Sequence, residues 1–598
     1  MPSFSSTGPS GRHSARLKTP SKAKDVQGTL RRLLGYLGGQ WGLIVIVLAA
    51  SLISTVITVV GTRLNGVAVD RYILAGDLRG LALLCLLMLM IYVVNIAATY
   101  VQNVLMIDVA QRTSAVLRSD LFRSIVHLPQ AYFDQHASGD LMSRLTNDID
   151  NVNSTLSQSV TQLFSGIISV GGMFLAMVVL SPLLTLFAMI VVPLTMVVTR
   201  IIVKRSRRYF SALQRELGEL NGYIEEMISG QKAVLLFQQE EAVAKEFAKM
   251  NERLQTSYTL AQTFSAMGPF MSFINNITYV VVTLVGAMLV LQGRLSVGVV
   301  FTFLLYMRNF SRPLNSLAAL FNTIQSALAG AERVFEVIDE PPESDAPDAV
   351  AAEDIQGDVA ASGVSFAYGK DLVLKNASFE VKAGQTIAIV GPTGAGKTTI
   401  ISLLNRFYDP TSGTITIDGQ DIRQFTRSSL RREIGLVLQD TFLFSESIAD
   451  NIRYGRLDAT DEEVVRAAQM ADAHGFIMQM ADGYDTILSD NGHNLSQGQR
   501  QLLAIARAIL SDPALLILDE ATSSIDTRTE QIIQASLLKL MQGRTSFVIA
   551  HRLSTIKHAD QILVVKDGQI IERGTHQALL AQGGFYSTLY NSQFDFGQ

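Results

Sequence analysis

Residues 386–399 read Thr386-Ile-Ala-Ile-Val-Gly-Pro-Thr-Gly-Ala-Gly-Lys-Thr-Thr399, and the fold of the second half of the chain turns on them. A short apolar run rich in β-branched residues, Thr386–Val390, leads into a turn of the form G-x-x-x-x-G-K-[ST]. Between a strand and a helix, glycines let backbone N–H groups close around phosphates at the helix N-terminus. Gly391, Pro392, Thr393, Gly394, Ala395, Gly396, Lys397, Thr398 and Thr399 are therefore candidate phosphate-binding residues. In this pattern Lys397 reaches the β- and γ-phosphates and Thr398 holds Mg²⁺.

Further β-rich runs alternate with helical ones after this turn, which predicts an α/β domain with a largely parallel central sheet. One of them, Leu515-Leu-Ile-Leu-Asp519, ends in the paired acids Asp519 and Glu520. The first acid can hold the metal, and its neighbour can orient and deprotonate an attacking water. Asp-Glu after a strand is by itself often a solvated loop; the phosphate-binding turn upstream favours the catalytic reading. The run Ser546–Ala550 delivers His551 in the same manner, where it could sense the γ-phosphate. A lone histidine is usually structural, so this role depends on the other motifs.

Ahead of the α/β domain the composition is different. The chain has 598 residues, too many for one core. With 48% hydrophobic and 17% charged residues and a mean hydropathy of +0.27, part of it belongs in lipid. Six apolar stretches are long enough to span a hydrocarbon core of about 30 Å: residues 41–62, 80–107, 158–180, 183–203, 264–291 and 297–322. Two long charged connections, 108–157 and 204–263, show helical periodicity, so the spanning helices continue beyond the lipid. The basic cluster Lys204-Arg-Ser-Arg-Arg208 and a basic N-terminal tail place both connections and both termini in the cytoplasm by the positive-inside rule.

Residues 1–29 read as a disordered basic tail, 30–338 as the transmembrane domain, 339–357 as an acidic, proline-rich linker and 358–598 as the nucleotide-binding domain. Leu30–Leu37 is spaced as an interfacial helix. The tail lacks the apolar core of a cleaved signal peptide. Cys85 lies in an apolar run, where a packing role is expected. The net charge of -4 gives no sign of a nucleic-acid partner. Asn95, Gln102, Asn275 and Asn276 are polar groups within spans; they either line a polar path or bond packed helices together.

Between the phosphate-binding turn and Asp519 stands Asn494-Leu-Ser-Gln-Gly-Gln-Arg500, followed at once by an apolar helical run. With this stretch the chain resembles an ATP-binding cassette exporter half-transporter over everything after the tail. It is similar to the catalytically complete subunit of bacterial heterodimeric multidrug or lipid exporters. The resemblance implies a type-I exporter fold of six transmembrane helices followed by an α/β P-loop domain, with ATP and Mg²⁺ as cofactors. It implies that Tyr368 stacks on adenine, that Gln439 links metal and water to the membrane half, and that Ser523–Asp526 communicates between two sites. Residues 139–147 and 230–237 look like its cytoplasmic coupling helices. Because each ATP sits between one chain's P-loop and the other chain's signature, a second half-transporter is implied. Ser496, Gln497, Gly498 and Gln499 would then serve the partner's site.

Gln497 stands where the family usually has glycine. Ser496-Gln-Gly-Gln499 also fits the S-x-x-Q capping box, with Ser496 as N-cap and Gln497 as the first helical residue. There φ is negative, and Gln favours a helix over Gly by up to about 1 kcal/mol. The loop is therefore kept, with a side chain added on the edge that faces the partner's γ-phosphate. Either a symmetric homodimer tolerates it, or, the favoured reading, this chain pairs with a different subunit whose own catalytic acid is degenerate. The function implied is ATP-driven export or flipping of amphiphilic small molecules across the cytoplasmic membrane by alternating access. An ATP-gated channel or regulator on the same fold is the alternative.

Overall fold

The computed structural model describes residues 24–264, 267–438, 441–519, 527–549 and 553–594. The chain forms two compact units: one runs up to Val126 and resumes over Gly139–Glu340, and the other comprises His127–Ser138 and everything from Pro341 onward.

In the first unit the described residues of the predicted spans are helical but for a break in the fourth, because backbone polar groups in lipid must be satisfied within the segment. The helices are Trp41–Val67, Leu78–Val126, Thr161–Leu180, the pair Pro182–Ala188 and Val191–Ser229, Met267–Leu291 and Val297–Ile338. Among the described residues, four helical segments are long and apolar enough to cross a membrane: Gly38–Ile73, Leu78–Val126, Ser138–Leu180 and Ser272–Leu291. The sixth window has a shorter apolar helix, Val297–Ser311. The fourth window is interrupted between Ala188 and Val191. Ser181 caps the fourth span by accepting from the Leu184 N–H at 3.4 Å, with Pro182 at the first helical position, where its missing N–H costs nothing.

The long connections are helical, as their periodicity predicts. The second span runs for 49 residues, about 73 Å at 1.5 Å per residue, far more than the lipid requires. The chain returns toward the third span through Ser138–Ser143 and Ile149–Ser154, interrupted by π-helical turns at Arg144–Asp148 and Thr155–Val160. Such turns re-aim side chains. Here one delivers Asp148, only 3% exposed, to Arg333 on the sixth helix, whose Nε donates to it at 2.9 Å.

Two of the intramembrane polar groups bond helices together. Gln102 donates to Ser165 at 2.9 Å and Ser54 to Asn95 at 2.6 Å, joining the second span to the third and first. Asn276 is exposed. The interfacial helix starts earlier than its apolar spacing suggests, at Val26. Asp25 caps it, and the Lys24 and Asp25 N–H groups donate to Glu332. Residues 26–29 thus belong to this helix, with Lys24 and Asp25 leading into it, while the rest of the predicted tail lies outside the described residues.

The second unit has two sheets. Strands β1 (Val359–Tyr368), β2 (Asp371–Val381), β4 (Ser412–Ile417) and β5 (Gln420–Asp421) form an antiparallel sheet in the order β2-β1-β4-β5. Strands β3 (Thr386–Val390), β6 (Ile434–Val437), β7 (Leu515–Asp519), β8 (Thr545–Ile549), β9 (Gln561–Lys566) and β10 (Gln569–Gly574) form the other in the order β10-β9-β3-β8-β7-β6. All pairings in it are parallel except β9 with β10. Ile387 to Val390 are all buried, which is why this strand reads as an unbroken apolar run.

The acidic linker is pinned rather than loose. Glu343 takes both ends of the Arg431 guanidinium at 2.7 and 2.6 Å, and Asp345 accepts from the Arg427 N–H at 3.0 Å. The short helix Gln130–Gln135 also belongs to this unit: Tyr408 donates to Asp134, and the Glu343 N–H donates to His127 O at 2.8 Å. The sequence reading places a coupling element at 139–147. Those residues fall in the membrane unit, and the segment grouped with the nucleotide-binding fold is the one just before them. The other predicted coupling segment holds the helix Gln231–Leu236 at the tip of the second connection.

Candidate nucleotide site

In a parallel sheet, ligands gather at the carboxyl ends of the strands. β3 ends at the glycine-rich loop and β7 ends at Asp519, with β8 between them, so the order of the strands brings these two distant pieces of sequence to one edge. The loop needs glycine at two points. Gly391 has φ +156°, and a Cβ there would lie 2.1 Å from Val565 O; Gly396, the residue before the helix, has φ +104°. Gly394, Thr393 and Pro392 are open to solvent, Ala395 packs inward, and the helix Lys397–Leu404 starts directly after the turn.

Lys397 is 9% exposed, and its ammonium donates to Gly391 O at 2.8 Å and Pro392 O at 3.0 Å. It is folded over the loop that it would share with phosphate. Burial pushes its pKa down, and the charge of Asp519 works against that shift. The Thr398 side chain is exposed while Thr399 is buried. A glycine cradle, a buried ammonium at its mouth, an exposed hydroxyl and a nearby carboxylate fit a nucleotide triphosphate with a hard divalent cation.

At the edge of the antiparallel sheet Tyr368 is 39% exposed, its ring edge-on to Phe366 at 4.8 Å and to Tyr408 at 5.1 Å. Tyr408 is an aromatic that motif reading passes over, since nothing in its spacing ties it to Tyr368, 40 residues earlier. Hydrogen bonding to Asp134 and burial both raise its pKa, burial more strongly.

The signature segment begins the helix Gln497–Ser511 with both halves of a capping box. The Gln499 N–H donates to Ser496 Oγ at 3.2 Å, and the Ser496 N–H donates to Gln499 Oε1 at 2.9 Å. Gln497 is the first helical residue and partly exposed; Gly498 is buried. Further along, Arg507 donates to Asn451 O at 2.9 Å and to Phe442 O at 3.2 Å, anchoring this helix to the segment after β6. Gln439, Glu520, Asp526 and His551 lie outside the described residues.

Comparison with known proteins agrees with this geometry. Residues 44–314 match the family described as the ABC transporter transmembrane region, and residues 374–523 the one described as ABC transporter. The chain is 48% identical over 581 residues to the Bacillus subtilis protein named uncharacterized ABC transporter ATP-binding protein YfiC, covering 97% of this chain and 96% of the relative. It is 46% identical over 478 residues to the fatty acid ABC transporter ATP-binding/permease protein of Mycobacterium bovis, 80% of this chain and 76% of the relative. To the ATP-dependent lipid A-core flippase of Syntrophus aciditrophicus it is 37% identical over 554 residues, 92% and 91% of the two chains. A helical membrane region and an ATP-binding α/β unit occur in one polypeptide, and the chain belongs to the ABC transporter family as an ATPase-coupled transmembrane transporter.

Proposed function

We propose that the protein is one half of a dimeric exporter that moves amphiphilic molecules, lipids above all, out of the cytoplasmic leaflet at the expense of ATP. The observation that carries this reading is the joining of the apolar helical unit to the phosphate cradle of Gly391–Lys397. Two relatives are named for a fatty acid and for lipid A-core, which supports a lipidic cargo.

Lys397 and the loop N–H groups hold the triphosphate. Thr398 and Asp519, with Gln439, would hold Mg²⁺, which when bound would neutralise phosphate charge. Glu520 orients and deprotonates the attacking water, His551 contacts the γ-phosphate, and Tyr368 stacks on the base. Asp526 carries the state of one site to the other.

Ser496, Gln497, Gly498 and Gln499 close on the P-loop of the second subunit, and that subunit is a different chain on the preferred reading. Exposed apolar residues at the tip of the second connection, Leu236 at 78% and Phe237 at 69%, suit a surface that another subunit covers. Both termini and the ATP-binding unit lie on the cytoplasmic side of the cell membrane.

Glu520→Gln should leave ATP binding intact and lower turnover to a few per cent or less, since the general base contributes about 10²–10⁴-fold. ATPase assays beside binding of a fluorescent ATP analogue check this, and near-normal hydrolysis in the variant complex overturns the role of Glu520. Co-purification with a homologous, non-identical chain supports the heterodimer. Robust hydrolysis by this chain alone overturns it.

A further inference from the structure

Resting on the export of an amphiphile set out above, we propose that the cargo is anionic, and that Arg63 and Arg308 receive its carboxylate or phosphate headgroup inside the membrane region. The first observation is one of charge. Residues 41–67, 80–107, 158–180, 183–203, 267–291 and 297–322 contain four arginines, Arg63, Arg200, Arg308 and Arg312, and no Asp, Glu, Lys or His. An acid within these helices would favour a cation there, and these windows supply none; Asp70, three residues beyond the first, already accepts from the Gly298 N–H at 2.7 Å. Like charges in a region of low dielectric repel a cationic cargo strongly.

The second observation concerns the three of these arginines whose side chains are described. Arg63, Arg200 and Arg308 are exposed, and among the described residues no carboxylate pairs with any of the three. Some arginines of the same unit outside these windows are paired: Arg333 holds Asp148, and Arg144 holds Asp140 at 2.9 Å. A guanidinium facing hydrocarbon is costly, so intramembrane arginines face a bundle interior or a water-filled cavity. Arg200 has a simpler explanation, since it stands four residues before Lys204 and can extend toward the headgroups.

Arg308 cannot do so. It lies 11 residues into the helix that starts at Val297, about 17 Å along an axis that crosses roughly 30 Å of hydrocarbon. Arg63 sits nearer the Val297 end, because Val59 O accepts from Tyr306 at 2.9 Å while a Cβ on Gly66 would lie 2.4 Å from Gly298 O. The two cations are therefore at successive depths on neighbouring helices. The planar fork of a guanidinium matches a carboxylate or phosphate through two parallel hydrogen bonds, and successive forks give an anionic headgroup a sequence of places to bind.

The test uses the purified, assembled transporter in lipid nanodiscs and reads stimulation of ATP hydrolysis by four single-chain probes of equal length: lauric acid, dodecyl phosphate, dodecyltrimethylammonium and dodecyl maltoside. The expected result is stimulation by the two anions and little by the cationic or the neutral probe; the ratio between the anions tells carboxylate from phosphate. In Arg308→Gln and Arg63→Gln the half-maximal concentration of the anions should rise roughly tenfold or more, the loss expected for one charge-assisted hydrogen bond. Arg308→Lys, which keeps the charge, should recover part of it and shows that the site still folds. Equal stimulation by all four headgroups, or an anion response unmoved in both Gln variants, overturns the headgroup assignment and leaves amphiphile export standing. Silence toward all four probes overturns amphiphile export and this inference with it.

Discussion

Ser496 shows how one side chain serves two tasks. Its hydroxyl satisfies a backbone N–H that the helix Gln497–Ser511 cannot satisfy itself, and in doing so fixes the start of the segment proposed to face a second subunit. Ser496→Ala should destabilise the ATP-binding unit by about 1 kcal/mol, and Ser496→Asp should restore most of that; thermal unfolding of the two variants against the parent measures it. Equal midpoints for the Ala variant and the parent would show that the cap contributes nothing. His576 offers a test by pH. Its ring accepts from or donates to Tyr586 at 2.7 Å, and burial, together with the charge of Lys557, lowers its pKa from 6.5. The folded state thus binds this proton less readily than the unfolded chain. The stabilisation is complete above pH 6.5 and is lost as pH falls through the lower folded value. The unfolding midpoint should drop on acidification below 6.5, and less steeply in His576→Gln; parallel slopes exclude the role.

At the scale of elements, the pair Asp148–Arg333 holds a π-helical turn against the sixth helix across 185 residues of sequence. Asp148→Asn leaves Arg333, one-third exposed, with water in place of a carboxylate, and should cost about 1–3 kcal/mol. Exchanging the two residues in Asp148→Arg/Arg333→Asp should recover part of the loss in a double-mutant cycle, and additive effects in the cycle would falsify the coupling. The same elements show what can be read from sequence. The strand Thr386–Val390 and its loop are legible because burial on both faces and the demand for glycine leave few alternatives. The start of Gln497–Ser511 is legible because a capping box is purely local. The helix Gln130–Gln135 is not, since six residues carry no period and its place depends on Tyr408 and Glu343 far downstream. The same holds for the turn around Asp148, which exists to meet an arginine that local sequence does not contain.

For the molecule as a whole, hydropathy and motif order are enough to read a membrane unit joined to an ATP-binding unit, because both signals are repeated many times along the chain. The pinned linker is less visible: its acids look like a solvated spacer until Arg427 and Arg431 are placed opposite them. Arg63 and Arg308 are visible only as part of a tally of charge until the fold shows that, among the described residues, no carboxylate pairs with them. One last feature joins these levels. The helix Val297–Ile338 is continuous for 42 residues, about 63 Å, and starts where its Gly298 N–H donates to Asp70 at 2.7 Å. Pro313 stands inside it and has no N–H to give, so the hydrogen-bond ladder is interrupted at one place only a turn beyond Arg308. Sharp bends in long helices occur at proline, so this helix should bend first about 7.5 Å beyond Arg308, between the position proposed to hold a headgroup and the end at Ile338.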